Sequence, residues 1–115
     1  MKFYIVDVFA VEKYTGNQLA VFTDAGSLSD EQMQRIAKET NYSETTFIPS
    51  TEMIEGGYEV RIFTPEQELP FAGHPTLGTA YIIQQKLIKN QVEQVNLNLK
   101  VGQIPVTLHY VGDSV

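Results

Sequence analysis

The segment 77–83 constrains the fold of this chain more than any other feature, because it is apolar on nearly every side of a helix. A helix that is apolar all round is a buried helix. We therefore predict that 77–83 is the most buried segment and that a sheet of at least five strands encloses it. Pro75 suits the first turn of this helix, which makes His74 its predicted N-cap, and the helix is predicted to end near Lys89.

Segments rich in aromatic and β-branched residues surround this helix in the sequence. Their composition, with alternation of apolar and polar residues in several of them, is typical of β-strands. Tyr58 and Ile62, for example, alternate with charged residues, so one face of their strand is predicted to be in water. The predicted strands are 3–9, 19–22, 45–49, 58–64, 95–101 and 104–110.

A further helix is predicted between the second and third strands. Ser29 and Gln32 have the spacing of a capping box, in which each side chain accepts a hydrogen bond from the other residue's backbone amide. Asn41 is the predicted end of this helix. The order β-β-α-β-β-α-β-β indicates one α+β domain, residues 1–115, whose mostly antiparallel sheet or barrel is wrapped around a central helix.

The composition excludes several classes of function. A formal net charge of −6 argues against a nucleic-acid partner and against an anionic membrane surface. Cysteine is absent, which excludes disulfides and thiolate chemistry, and two histidines are too few for a histidine-rich metal site. No apolar run approaches the ~20 residues of a membrane helix. Because Asp7 comes too early for a signal peptide, we predict a cytoplasmic protein.

Three short stretches could carry chemistry. The stretch 41–47 places the carboxylate of Glu44 between a helix end and a strand, although an exposed glutamate would read the same. The stretch 71–76 enters the buried helix, where free N–H groups and the helix dipole favour an anion. Its alternative is a capped helix start with an incidental histidine. The stretch 14–17 also reads as a plain hairpin turn, and His109 is predicted to be solvated and without function.

Taken together, these stretches resemble the phenazine-biosynthesis PhzF-like family, within the wider diaminopimelate-epimerase-like fold. They occur in the family's order and spacing, and they span nearly the whole chain. The matching stretches are 6–9 (VDVF), 16–21 (GNQLAV), 41–47 (NYSETTF), 61–65 (RIFTP) and 68–78 (ELPFAGHPTLG).

The resemblance implies a role for each motif. Glu44 is expected to be the general acid/base, and the helix start is expected to bind the substrate's carboxylate side. The expected substrate-binding residues are Gly73, His74, Pro75, Ser43 and Asn17. The phenazine enzyme moves a proton between ring carbons of a dihydro-hydroxyanthranilate without a cofactor. Such chemistry needs a positioned base and a fixed dipole for the charge that develops. The lack of cysteine separates the chain from diaminopimelate epimerase, whose mechanism uses two thiols.

PhzF-like proteins have two such domains with the active site between them, and this sequence matches the amino-terminal one. We expect the second domain, with its Asp and second glycine-rich helix start, to be missing. Two functions stay open. One is a cofactor-independent isomerase or epimerase that acts on a small dihydroanthranilate-like or amino-acid-like carboxylate and needs the second domain. The other is a non-catalytic carboxylate-binding half-domain that acts by oligomerising. A homodimer, or pairing with the missing domain, is expected in either case.

Overall fold

The computed structural model describes residues 1–8, 17–70, 73–90 and 92–108. For residues 6–8, 17–18 and 73–75 the description is limited to the backbone. The predicted turn at 14–16 and the predicted solvated residue His109 lie outside the described residues.

Within these residues the elements follow one another in nearly the predicted order. The strands are β1 (Lys2–Val8), β2 (Asn17–Thr23), β3 (Glu44–Ile48), β4 (Tyr58–Glu59), β5 (Arg61–Phe63), β6 (Glu68–Leu69), β7 (Gln94–Leu99) and β8 (Gly102–Thr107). The helices are α1 (Asp30–Thr40) and α2 (Gly73–Ile82), and α2 continues as a π-helical segment (Ile83–Ile88). No helix of the described residues is both long enough and apolar enough to cross a membrane.

The described strands form two sheets. One has five strands in the order β1-β2-β3-β5-β6, and the other has three in the order β4-β7-β8. Hydrogen-bonded neighbours are antiparallel, except that β2 pairs with β3 and β4 pairs with β7 in parallel. The predicted α+β class with mostly antiparallel strands is therefore confirmed.

The predicted strand 58–64 is two strands that belong to different sheets. β4 pairs with β7, whereas β5 pairs with β3, and the change falls at Val60, whose amide donates to the carbonyl of Asn98 at 3.1 Å. The predicted alternation nevertheless holds, because Tyr58, Val60 and Ile62 are all buried. This strand exchange joins the two sheets around α2.

The second helix lies between the two sheets, as predicted. Its buried side chains share one core with both sheets, and each large aliphatic side chain buried there contributes about 1.5–3 kcal/mol. That core takes Ala80, Ile82 and Ile83 from the helix, Leu19, Val21, Ile48 and Ile62 from the larger sheet, and Tyr58, Val95, Leu97 and Leu99 from the smaller one.

The prediction that all of 77–83 is deeply buried is wrong at two residues, Leu77 and Tyr81. Leu77 is 40% exposed, whereas Ala80 and Ile83 are fully buried. Leu77, Tyr81 and Gln85 follow one another at four-residue intervals, so they form a single stripe along the helix. Both Tyr81 and Gln85 are also partly exposed. Leu77 is the most exposed residue of this stripe, whereas Tyr81 packs partly against the core.

The first helix covers the other face of the five-stranded sheet. Met33 and Ala37 are buried against Phe22, Phe47 and Phe63 of that sheet. The predicted capping box is present: the Gln32 amide donates to the Ser29 hydroxyl at 3.1 Å and the Ser29 amide donates to the Gln32 side chain at 2.8 Å. The helix ends as predicted, at a left-handed Asn41.

Candidate active site

The direction of α2 determines which ends of the strands lie beside its first turn. Near the middle of the helix, the Thr79 hydroxyl donates to the Thr46 hydroxyl of β3 at 2.9 Å. Beyond the end of α2, Lys86 lines a cleft together with Thr23, the last residue of β2, and Thr51, which follows β3. The helix therefore runs from the N-terminal ends of β2 and β3 towards their C-terminal ends.

This direction brings the first turn of α2 to the end of the sheet at which Glu44 begins β3. Gly73 precedes Thr79 by less than two turns, or about 9 Å along the axis. Glu44 precedes Thr46 by two strand positions, or about 6.6 Å. Gly73 and Glu44 thus lie at the same end of the sheet, at similar distances from the contact between Thr79 and Thr46.

Strand alternation sets the face on which the Glu44 side chain leaves the sheet. Thr46 and Ile48 face α2, whereas Phe47 belongs to the core under α1. Successive side chains of a strand point to opposite faces, so Glu44 shares the α2 face with Thr46. Glu44 is half-buried rather than exposed, and Ser43 before it is exposed.

Asn17 begins β2 at the same end of the sheet. β2 and β3 run in parallel with Leu19 opposite Glu44, so Asn17 lies two positions towards the N-terminal edge from that pair. The backbone thus brings Asn17, Ser43, Glu44 and the start of α2 to one edge.

The predicted N-cap at His74 is wrong, because α2 already begins at Gly73. His74 and Pro75 are therefore residues of the first turn. Proline is tolerated there, since the amide it lacks has no partner inside the helix. The backbone N–H groups of this turn that have no acceptor inside the helix include those of Gly73 and His74.

Sequence reasoning missed the threonines that join α2 to the sheet. Thr46 and Thr79 are fully buried and bonded to each other, and Thr76 is 6% exposed. Thr76 and Thr79 are three positions apart in an otherwise apolar stretch, which is a signal that one helix face meets a polar partner. Thr45 is also fully buried, but its hydroxyl has no hydrogen-bond partner among the described residues.

A charged network fixes the hairpin that leads into α2. Arg61 of β5 donates to both carboxylate oxygens of Glu68 in β6, at 2.8 and 2.9 Å, and to Asp30 at the start of α1, at 2.6 Å. Lys100 lies 2.9 Å from the same Glu68 carboxylate. Two parallel bonds between a guanidinium and a carboxylate define the orientation of both groups.

The network shifts the pKa of each member in the direction its partners favour. Burial raises the pKa of Glu68, but hydrogen bonds from Arg61 and Lys100 outweigh that effect, and the pKa lies below its usual value of 4.5. The hydrogen bond from Arg61 lowers the pKa of Asp30, and the hydrogen bonds to Glu68 and Asp30 raise that of Arg61. The three groups are thus held in their charged forms.

Solved structures share this architecture. The crystal structure of a PhzF-family phenazine biosynthesis protein from Enterococcus faecalis superposes on this chain with a TM-score of 0.79 and is 36% identical to it. The matched region covers 93% of this chain and 40% of the Enterococcus faecalis chain. The shared architecture is therefore one part of a larger fold.

The family model described as phenazine biosynthesis-like protein, PhzC-PhzF, matches residues 6–114. The chain belongs to this family. It is 49% identical over 102 residues to an uncharacterized isomerase of Pasteurella multocida, over 89% of the chain and 35% of the relative. It is 43% identical over 107 residues to the trans-2,3-dihydro-3-hydroxyanthranilate isomerase of Pseudomonas aeruginosa, over 93% of the chain and 37% of that enzyme. The chain thus spans a little over a third of the length of these relatives.

Proposed function

We propose that this chain supplies the proton-carrying half of a cofactor-independent isomerase, with Glu44 as the general acid/base. The observation that supports this most is the position of Glu44 at the sheet edge beside the first turn of α2. A base must be held near the carbon from which it takes a proton, and a fixed dipole must stabilise the charge that develops. In this chain the base, Glu44, and the helix dipole of α2 lie at the same edge of the sheet.

In this proposal the first turn of α2 binds the substrate's carboxylate. The amides of Gly73 and His74 are the donors, and the positive end of the helix dipole favours the negative charge. Because Gly73 has no side chain, the carboxylate can approach the backbone closely. Asn17 and Ser43, at the same edge, are proposed to contact the rest of the substrate.

The proposed substrate is a small cyclic carboxylate of the dihydroanthranilate type. The name of the Pseudomonas aeruginosa relative, at 43% identity, supports this class. Since the chain covers 37% of that enzyme, we propose that turnover needs the remaining part of the protein as well. The exposed Leu77, in the first half of α2, favours pairing with such a part or with a second copy of the chain.

Glu44→Gln in the full-length protein tests the proposal. The amide is nearly isosteric and still forms hydrogen bonds, but it cannot accept and return a proton. We expect turnover of trans-2,3-dihydro-3-hydroxyanthranilate to fall by about 10²–10⁴-fold while substrate affinity changes little. In D₂O the wild-type product should carry deuterium at the carbon that is protonated.

Glu39→Gln is the matched control, because Glu39 is an exposed glutamate of α1. It should leave both turnover and affinity unchanged. Full turnover by Glu44→Gln would reduce Glu44 to a structural carboxylate at the start of a strand and would refute the proposed mechanism.

A further inference from the structure

A second cleft lies at the far end of the helix from Glu44. Its volume is about 390 Å³, and it opens where the π-helical segment meets the start of β1 and the C-terminal ends of β2 and β3. A cavity of this size is in the range of small-molecule sites. It shares no residue with the proposed active site.

The cleft concentrates positive charge in an acidic protein. Lys2, Lys86 and Lys89 line it together with one carboxylate, Asp24. These are three of the eight basic residues of a chain whose net charge is −6. None of the three lysines takes part in an ion pair with a described residue, whereas Arg61 and Lys100 do. The cleft therefore holds three ammonium groups against one carboxylate.

Lysines at a helix end have a simpler explanation, which covers only part of the cluster. Cations in the last turn interact favourably with the negative end of the helix dipole, and Lys86 and Lys89 satisfy that rule. Lys2 does not, because it belongs to β1. Two separate elements therefore bring cations to one cleft, which favours an anionic ligand.

Hydrogen bonds define the backbone where the helix ends. Lys89 ends the helix with a left-handed φ of 67°, and its amide donates to the carbonyl of Gln84 at 2.8 Å, a π-helical bond. The Gln84 side chain is buried and donates to the carbonyl of Asn90 at 2.9 Å. The Lys86 ammonium lies 5.4 Å from the centre of the Tyr4 ring, within the range of a cation–π contact.

We propose that this cleft binds a small phosphate monoester. The three lysine side chains and one carboxylate side chain leave a net side-chain charge of about +2, which matches the −1.5 to −2 of a phosphate monoester at neutral pH better than the single charge of a carboxylate. Lysine binds phosphate as a point charge, and the Thr51 hydroxyl is a further donor on the wall. The Tyr4 ring and Leu87 give apolar surface to the organic part of the ester.

Phenyl phosphate, titrated into the full chain by calorimetry, is the probe. We expect it to bind about tenfold or more tightly than benzoate, which has the same ring with one charge. Inorganic phosphate should bind more weakly than phenyl phosphate, because it lacks the ring that contacts the apolar wall. Equal affinity for benzoate and phenyl phosphate, or no phenyl phosphate binding at millimolar concentration, would overturn the proposal.

Two variants separate ligand contacts from structural effects. Lys86→Gln should weaken phenyl phosphate binding by about tenfold, since hydrogen bonds to charged groups are worth that order of affinity. Lys38→Gln removes the same charge from the exposed face of α1 and should leave the affinity nearly unchanged. Equal losses in these two variants would show that only net charge matters and would overturn the site.

Lys89→Gly gives a readout that a structural role cannot produce. Glycine accepts the left-handed conformation without strain, so the melting temperature should rise. The affinity for phenyl phosphate should nevertheless fall, because an ammonium group is lost. Glu39→Gln, at an exposed glutamate of α1, should change neither quantity. An unchanged affinity in Lys89→Gly would contradict the proposal.

Discussion

Three consecutive residues at the start of β3 have three different environments. Glu44 and Thr46 leave the sheet on the α2 side, and the Thr46 hydroxyl is bonded to Thr79. Thr45 points to the α1 side, where its fully buried hydroxyl has no partner in the part of the chain that the structure describes. A buried hydroxyl costs free energy unless it is hydrogen-bonded. The strand that carries Glu44 thus contains both a satisfied and an unsatisfied threonine.

Valine substitutions at the two buried threonines should have opposite effects. Thr46→Val leaves the Thr79 hydroxyl buried and unpaired, so the free energy of unfolding should fall by about 1–3 kcal/mol. Thr45→Val removes a group that has no partner to lose, and the free energy of unfolding should rise by about 1 kcal/mol. Urea unfolding of both variants measures this, and equal changes of the same sign would contradict it.

At the scale of single residues, features that depend on neighbours in the sequence were predicted, and contacts between distant residues were not. The Ser29 capping box and the left-handed Asn41 follow from residues within one turn of each other. The contact between Thr46 and Thr79 joins residues 33 positions apart, so no local pattern contains it. For the same reason, the sequence could nominate Glu44 and Gly73 as separate motifs, but the helix direction that brings them together required the structure.

At the scale of elements, the β5–β6 hairpin depends on the Arg61–Glu68 pair. The hairpin directly precedes the loop into α2, so its position sets where that helix begins. β6 has only two residues and was not among the predicted strands. A strand of two residues is too short to show an alternation of apolar and polar residues. Its pairing with β5 is reinforced by the hydrogen bonds between the Arg61 and Glu68 side chains.

Stability should fall in acid through Glu68. Its folded pKa lies below 4.5, so the unfolded chain binds more protons in the range from about pH 5 downwards, and the free energy of unfolding decreases as pH falls. Glu68→Gln removes the titrating group and should flatten the dependence of melting temperature on pH below 5. Glu52→Gln, an exposed glutamate, should retain the wild-type slope. A wild-type slope in Glu68→Gln would refute this origin.

Other elements departed from the predictions because their partners are remote. The alternation over 58–64 fits one strand, yet its two halves pair with β7 and β3 respectively. Alternation reports which face is buried and not which strand lies alongside. The π-helical segment was likewise unpredicted, because its composition differs little from that of an α-helix.

At the scale of the whole molecule, the exposed Leu77 on α2 offers an apolar contact to a partner. The chain spans 35–37% of its curated relatives, and Leu77, near the proposed carboxylate-binding turn, is 40% exposed. Exposed apolar surface beside a functional edge is typical of an interface.

We expect the chain to associate through this surface. Sedimentation at increasing concentration should show a dimer, and Leu77→Ser should shift the equilibrium towards monomer. Met53→Ser is the control, because Met53 is more exposed, at 61%, but lies in the loop between β3 and β4. A monomer at every concentration, or equal effects of the two variants, would contradict this expectation.

The parallel pairing of β2 and β3 has a stereochemical consequence. Two parallel neighbours joined through a helix cross over in the right-handed sense in about 98% of proteins. That handedness assigns α1 to one face of the sheet and leaves the opposite face for α2. Glu44 lies on the second face, and a shift of β3 by one residue would turn it towards α1. The chirality of L-amino acids thus decides on which side of this sheet a carboxylate at that position meets the start of α2.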